Sequence, residues 1–84
     1  MEIWKFSLQI AAKQSLLMPQ GATILSVANQ RDTLCLWAVV DPKATPVRRE
    51  FDVFGTGHTM PELIGVFVGT VLIGSFVWHV FERR

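Results

Sequence analysis

Leu63-Ile-Gly-Val-Phe-Val-Gly-Thr-Val-Leu-Ile-Gly-Ser-Phe-Val-Trp-His-Val-Phe81 is the stretch whose reading decides the fold. It holds no Asp, Glu, Lys or Arg, is about as long as a spanning helix needs, and is followed by Arg83 and Arg84, so hydropathy alone gives a single membrane span over 63–81. Gly65 and Gly69 add a small-xxx-small spacing. Composition argues the other way. Val, Ile, Phe, Thr and Trp dominate, and these residues fit a pleated, half-buried surface; Ile73-Gly74-Ser75 interrupts the run where a turn would sit. The favoured reading is two consecutive buried strands, Gly65 to Val71 and Phe76 to Glu82, with the span as its alternative.

Strand-like patterns continue outward from this run. Trp4, Phe6, Leu8 and Ile10 alternate with Lys5, Ser7 and Gln9, the period of two of a half-buried strand. Gln14 to Met18 reads as a short second strand, stopped by Pro19-Gln20-Gly21. Thr23 to Gln30 is a third, with Leu25 and Val27 set against Ser26, and the polar turn Asn29-Gln30-Arg31-Asp32 joins it to a fourth, Thr33 to Val40. That fourth strand is apolar on both faces, which places it mid-sheet and covered above and below. Asp41-Pro42 through Thr45-Pro46 is a loop; Val47 to Phe54 follows as an amphipathic strand with Arg49, Phe51 and Val53 on one face and Arg48, Glu50 and Asp52 on the other. Seven short strands with frequent turn signals and no helical period predict an all-β domain over residues 1–84, a small antiparallel sandwich or barrel.

Composition limits what such a domain can do. Half of the 84 residues are apolar, six Phe and three Trp among them. A chain this short buries only about 60 to 65% of the surface its unfolded form exposes, so a homo-oligomer is expected to hide the rest. Eight basic and seven acidic residues mix along the chain for a net charge of +1, which offers no footprint for duplex nucleic acid or an anionic membrane. The single cysteine, Cys35, excludes an internal disulfide framework and fits a reducing cytoplasm, and Met1-Glu-Ile-Trp-Lys5 lacks the pattern of a secretory signal.

Catalysis finds little support. Cys35 lies inside an apolar strand, no G-x-S-x-G elbow is present, and His58, His79 and Cys35 lack a zinc-ligand spacing, so neither enzyme activity nor a metal or other cofactor is expected. Glu50 and Asp52 share a strand face, which suits a solvated surface as well as acid-base work.

Ile3-Trp-Lys-Phe6, Met18-Pro-Gln-Gly-Ala22 with Ile24-Leu-Ser-Val27, Leu34-Cys-Leu-Trp-Ala-Val-Val-Asp-Pro42, Phe54-Gly-Thr-Gly-His58 and Phe76-Val-Trp-His-Val-Phe-Glu82 together resemble a family of short, mostly uncharacterised proteins encoded by bacteriophages. The resemblance covers nearly the whole chain and brings no established catalytic residues. It implies a phage accessory protein acting in the host cytoplasm, of the kind that antagonises host defences. By analogy with small oligomeric sponges, the expected function is to bind and sequester an anionic, nucleotide-derived immune signal of the cyclic nucleotide or cyclic ADP-ribose type. The alternatives are a module that caps a host or phage protein by strand addition at an exposed edge, and a single-span membrane protein.

The groups expected to bind such an anion are these. Gly55-Thr56-Gly57-His58 offers unobstructed N–H groups, a hydroxyl and an imidazole; Arg48 or Arg49 offers a guanidinium fork for phosphate; Trp78 or Trp4 offers a face on which a base can stack. Each also has a structural explanation: a glycine-rich reversal between strands for the loop, a cross-strand ion pair for the arginines, and core or interface packing for the tryptophans.

Overall fold

Gly74 turns the apolar C-terminal run back on itself. Its φ of +59° is open to glycine at little cost and suits the first position of a two-residue hairpin loop, so Val66–Ile73 (β6) pairs antiparallel with Phe76–Glu82 (β7). The structure is a computed structural model and describes residues 1–62 and 64–83, leaving Leu63 and Arg84, the ends of the quoted run and of its basic flank, outside the described residues. No helix among those residues is long and apolar enough to cross a membrane.

Before β6 come Glu2–Leu8 (β1), Lys13–Pro19 (β2), Thr23–Gln30 (β3), Thr33–Val40 (β4) and Pro46–Gly55 (β5). The seven strands form two antiparallel sheets, β1-β4-β3 and β2-β5-β7-β6. They pack face to face as a sandwich. Leu8, Leu34, Leu36, Ala38 and Val40 of the first sheet meet Met18, Phe51, Val53, Val71 and Val80 of the second. Trp4, Phe6, Leu16, Ile24, Val27 and Trp78 close the margins of this core.

The sandwich does not close into a barrel. β3 and β6, the edges of different sheets, run side by side without a hydrogen-bonded ladder: Asn29 Nδ2 donates to the Leu72 carbonyl at 3.1 Å, and Gly69 lies against Val27 so closely that a Cβ there would sit 2.6 Å from Val27 Cγ2. At the other end a cleft lies between the two edges, bordered by Thr23, Ile24 and Leu25 and by Val66, Phe67 and Val68, and each strand has an irregularity of register at that point, between Ile24 and Ser26 and between Phe67 and Gly69.

Three expectations change on the structure. Ser26 resumes the pairing after the bulge, so Ile24 and Val27 pack on the core while Leu25 is exposed, the reverse of a plain alternation for Leu25. Ile10 lies beyond β1 and is exposed, because the chain leaves the sheet after Leu8. β4 is central in its sheet as expected, but only its even-numbered face is covered. On the odd-numbered face Cys35 is buried, while Trp37 and Val39 stay partly exposed, because no third layer covers that side.

Candidate functional site

The loop after β5 folds onto itself. The Gly55 N–H donates to His58 Nδ1 at 3.1 Å, the His58 N–H returns to the Gly55 carbonyl at 3.0 Å, and the Thr56 N–H donates to the Val77 carbonyl at 3.1 Å. Because Nδ1 accepts, the neutral imidazole of His58 carries its proton on Nε2. Its ring sits edge-on to Trp78, centroids 5.9 Å apart, and both border a small cavity with Ile10, Ala11, Ala12 and Val53. Three N–H groups expected to cradle an anion are thus occupied, and Gly57, at φ +89°, supplies the reversal.

Beside this loop, on the outer face of the four-stranded sheet, Thr56 Oγ1 lies 2.8 Å from His79 Nε2 and Thr70 Oγ1 lies 3.0 Å from His79 Nδ1. Trp78 and His79 project to opposite faces, as consecutive strand residues must. A neutral imidazole here accepts from one hydroxyl and donates to the other; among the described residues no carboxylate orients it.

The remaining sequence-derived residues lie elsewhere in the chain. Arg49 projects on the core side of β5, where Nε and Nη2 donate to the two Glu82 carboxylate oxygens at 2.5 and 2.8 Å and Nη1 donates to the Ala22 carbonyl. The hydrogen bond to Glu82 raises the Arg49 pKa above its ordinary value, against the effect of burial. Arg48, on the outer face, donates to Ser15 Oγ at 2.7 Å. It precedes Gly55 by seven positions on the same strand, roughly 20 Å along the chain. Trp4 sits on the edge strand β1, its indole N–H on Glu2 Oε1 at 2.7 Å and its ring 6.4 Å from Phe6. The loop, His58 and Trp78 therefore come together, while Arg48, Arg49 and Trp4 stand apart from them and from one another.

A basic pocket lies on a surface that the sequence did not single out, the outer face of the three-stranded sheet. Lys5 and Ser7 of β1, Thr33 and Cys35 of β4, and Gln30 and Arg31 at the β3–β4 hairpin line a depression of about 390 Å³. Lys5 Nζ donates to Gln30 Oε1 at 2.7 Å. The ion pairs among the described residues are Arg49–Glu82 and Arg83–Asp52, so no carboxylate neutralises Lys5 or Arg31 there. Arg31 and Asp32 form the hairpin loop at φ of 54° and 62°, the two left-handed residues of a type I′ turn, and Asn29 Oδ1 accepts from the Asp32 N–H at 2.8 Å. A left-handed non-glycine residue costs of order 1 kcal/mol or more, and here it carries the arginine at the rim of the pocket. Trp37 is directly opposite Lys5 in the ladder, on the same face and partly exposed.

Only weak signals in the sequence pointed to this arrangement. Lys5, Ser7 and Thr33 read as the solvent side of half-buried strands, and Arg31 as one residue of a polar turn. What unites them is the β1–β4–β3 order, which sequence periodicity does not contain.

A family model described as a domain of unknown function (DUF7352) matches residues 1–84. No curated protein and no solved structure matches the chain.

Proposed function

The chain belongs to the DUF7352 family, described only as a domain of unknown function, and from its geometry we propose that it is a binding protein for a small nucleotide-type anion, taken up on the outer face of the three-stranded sheet. The observation that carries this reading is the pairing of Lys5 and Arg31, cations without an ion-pair partner among the described residues, with the Ser7 and Thr33 hydroxyls around one depression. Lys5 and Arg31 hold phosphate oxygens, the hydroxyls complete their hydrogen bonds, and Trp37 offers its ring to a base, a stack worth about 1 to 3 kcal/mol. A volume near 390 Å³ falls within the usual range for small-molecule sites. On the resemblance to phage-encoded proteins, the ligand is a nucleotide-derived host immune signal of the cyclic dinucleotide or cyclic ADP-ribose type, and the role is to sequester it in the host cytoplasm without turning it over.

Calorimetry against cyclic dinucleotides and cyclic ADP-ribose isomers tests this. At least one of these compounds is expected to bind the unmodified protein, with Lys5→Ala and Arg31→Ala each weakening binding by about tenfold or more, the value of one charge-assisted hydrogen bond, and His58→Ala leaving it unchanged. If none of these compounds binds below about 10 μM, roughly −7 kcal/mol, ligand sequestration gives way to capping of a partner protein at an exposed strand edge. If binding occurs and depends on His58 rather than Lys5 or Arg31, the ligand class stands and the pocket does not.

A further inference from the structure

Exposed apolar surface is concentrated along one flank of the sandwich. Leu25, Ile64, Val66, Phe67, Leu72 and Phe76 are each between 44 and 66% exposed. Phe67 and Leu72 stand on the outer face of β6, backed by Phe81 and Val77 at their ladder positions, with the Phe67 and Phe81 rings 5.4 Å apart. Val66 and Phe67 also border, with Leu25 and Ile24, the cleft of about 390 Å³ between β3 and β6. From Ile64 to Phe76 there is no ionisable side chain. The charged groups in the cleft, Arg49 and Glu82, already neutralise each other.

We infer that a second copy of this chain covers the β6 flank, related to the first by a two-fold axis near Gly69 and Thr70. Area supports this occupant. The chain exposes 5549 Å², about 500 Å² more than a folded monomer of its mass is expected to show. Taking about 200 Å² for a Phe side chain and somewhat less for Leu, Ile and Val, the six residues present roughly 600 Å². Summed over both faces of the β6–β7 edge, Phe76 standing on the Trp78 side and Leu72 on the other, this approaches the 800 Å² or so that each partner gives to a stable interface. Charge supports it as well. The stretch Ile64 to Phe76 brings no charge of its own to the contact, whereas a lipid surface or a nucleic acid requires a basic rim, and Lys5 lies on the other sheet. Symmetry then fixes the arrangement. The cleft lies at the Val66 end of β6 and the protruding Leu72 and Phe76 at the other, so a two-fold axis across the middle of the strand sets Leu72 and Phe76 of each copy over the cleft of the other.

Light scattering at micromolar concentration tests the inference, and is independent of whether any anion binds. The unmodified protein is expected to show the mass of a dimer. Phe67→Lys with Leu72→Lys is expected to give a monomer with an unchanged β-type circular dichroism spectrum, since both side chains are more than half exposed and the core does not depend on them. In a Cys35→Ser background, chains bearing Leu25→Cys mixed with chains bearing Phe76→Cys are expected to form a mixed disulfide on mild oxidation, and neither chain alone to cross-link to itself. A concentration-independent monomer mass overturns the inference, as does a dimer that survives both lysines. A dimer dispersed by the lysines that yields no mixed disulfide overturns the two-fold placement.

Discussion

Val39 and Val40 are the same residue type at adjacent positions of β4, and the sandwich assigns them opposite fates. Val40 points into the core and is fully buried, whereas Val39 lies on the uncovered face between Ile3 and Thr23 and is partly exposed. Val40→Ala removes two buried carbons, about 1.6 kcal/mol of transfer free energy at roughly 0.8 per methylene. If about 50 Å³ of the space stays open, the cavity adds about 1.2 kcal/mol at roughly 24 cal/mol per Å³, for a total near 3. Val39→Ala loses part of the same transfer term and opens no closed cavity, so about 1 kcal/mol is expected. The loss of strand propensity is common to both and cancels in the comparison. Urea unfolding at one fixed protein concentration measures the difference; with a slope of about 1 to 1.5 kcal/mol per molar for a chain this small, the two midpoints separate by about 1.5 M. Equal losses, or a larger one at Val39, refute the assignment of faces, because a register slip of one residue exchanges them.

Two further substitutions probe the C-terminal hairpin. A Cβ at Gly65 would overlap the Glu82 carbonyl, a backbone atom that cannot step aside without parting β6 from β7, so Gly65→Ala is expected to cost about 2 kcal/mol or more and to lower Tm by about 10 °C; an unchanged Tm contradicts that close approach. Glu82→Gln leaves the partly buried Arg49 without its ion pair, at a cost of about 1 to 2 kcal/mol, between the values for exposed and buried pairs. Since the folded-state pKa of Arg49 is raised, its contribution is complete at every pH below the ordinary arginine value and is lost only as pH climbs through the raised one. The deficit of Glu82→Gln measured by urea unfolding is therefore expected to stay level between about pH 6 and 10, and a decline within that window contradicts the sign.

Local chemistry made most of the strands legible. Thr23–Gln30, Thr33–Val40 and Phe76–Glu82 coincide with the segments read from alternation, apolar runs and turn residues, and β6 starts one residue later and ends two residues later than its sequence reading. The Gly74-Ser75 reversal and the opposed faces of Arg48 and Arg49 also followed from period and glycine content. Sheet membership did not. Leu34, Leu36, Ala38 and Val40 are as apolar as Cys35, Trp37 and Val39, so only the layer packed against β4 decides which face is core. The candidate site was harder to find for the same reason. Gly55 to His58 carried recognisable anion-binding chemistry, yet three of its four N–H groups are spent on His58 Nδ1, the Val77 carbonyl and the Gly55 carbonyl. Lys5 and Arg31, which have no motif between them, meet only because β1 and β3 flank β4.

Backbone amide shifts followed by NMR during titration with a cyclic dinucleotide test the proposed site most directly. Saturable shifts are expected at Lys5, Ser7, Gln30, Arg31 and Thr33 and at the Trp37 indole, with Gly55 to His58 and Trp78 unmoved. Shifts confined to Gly55 to His58 and Trp78, or none at all at ligand excess, would contradict the proposed site.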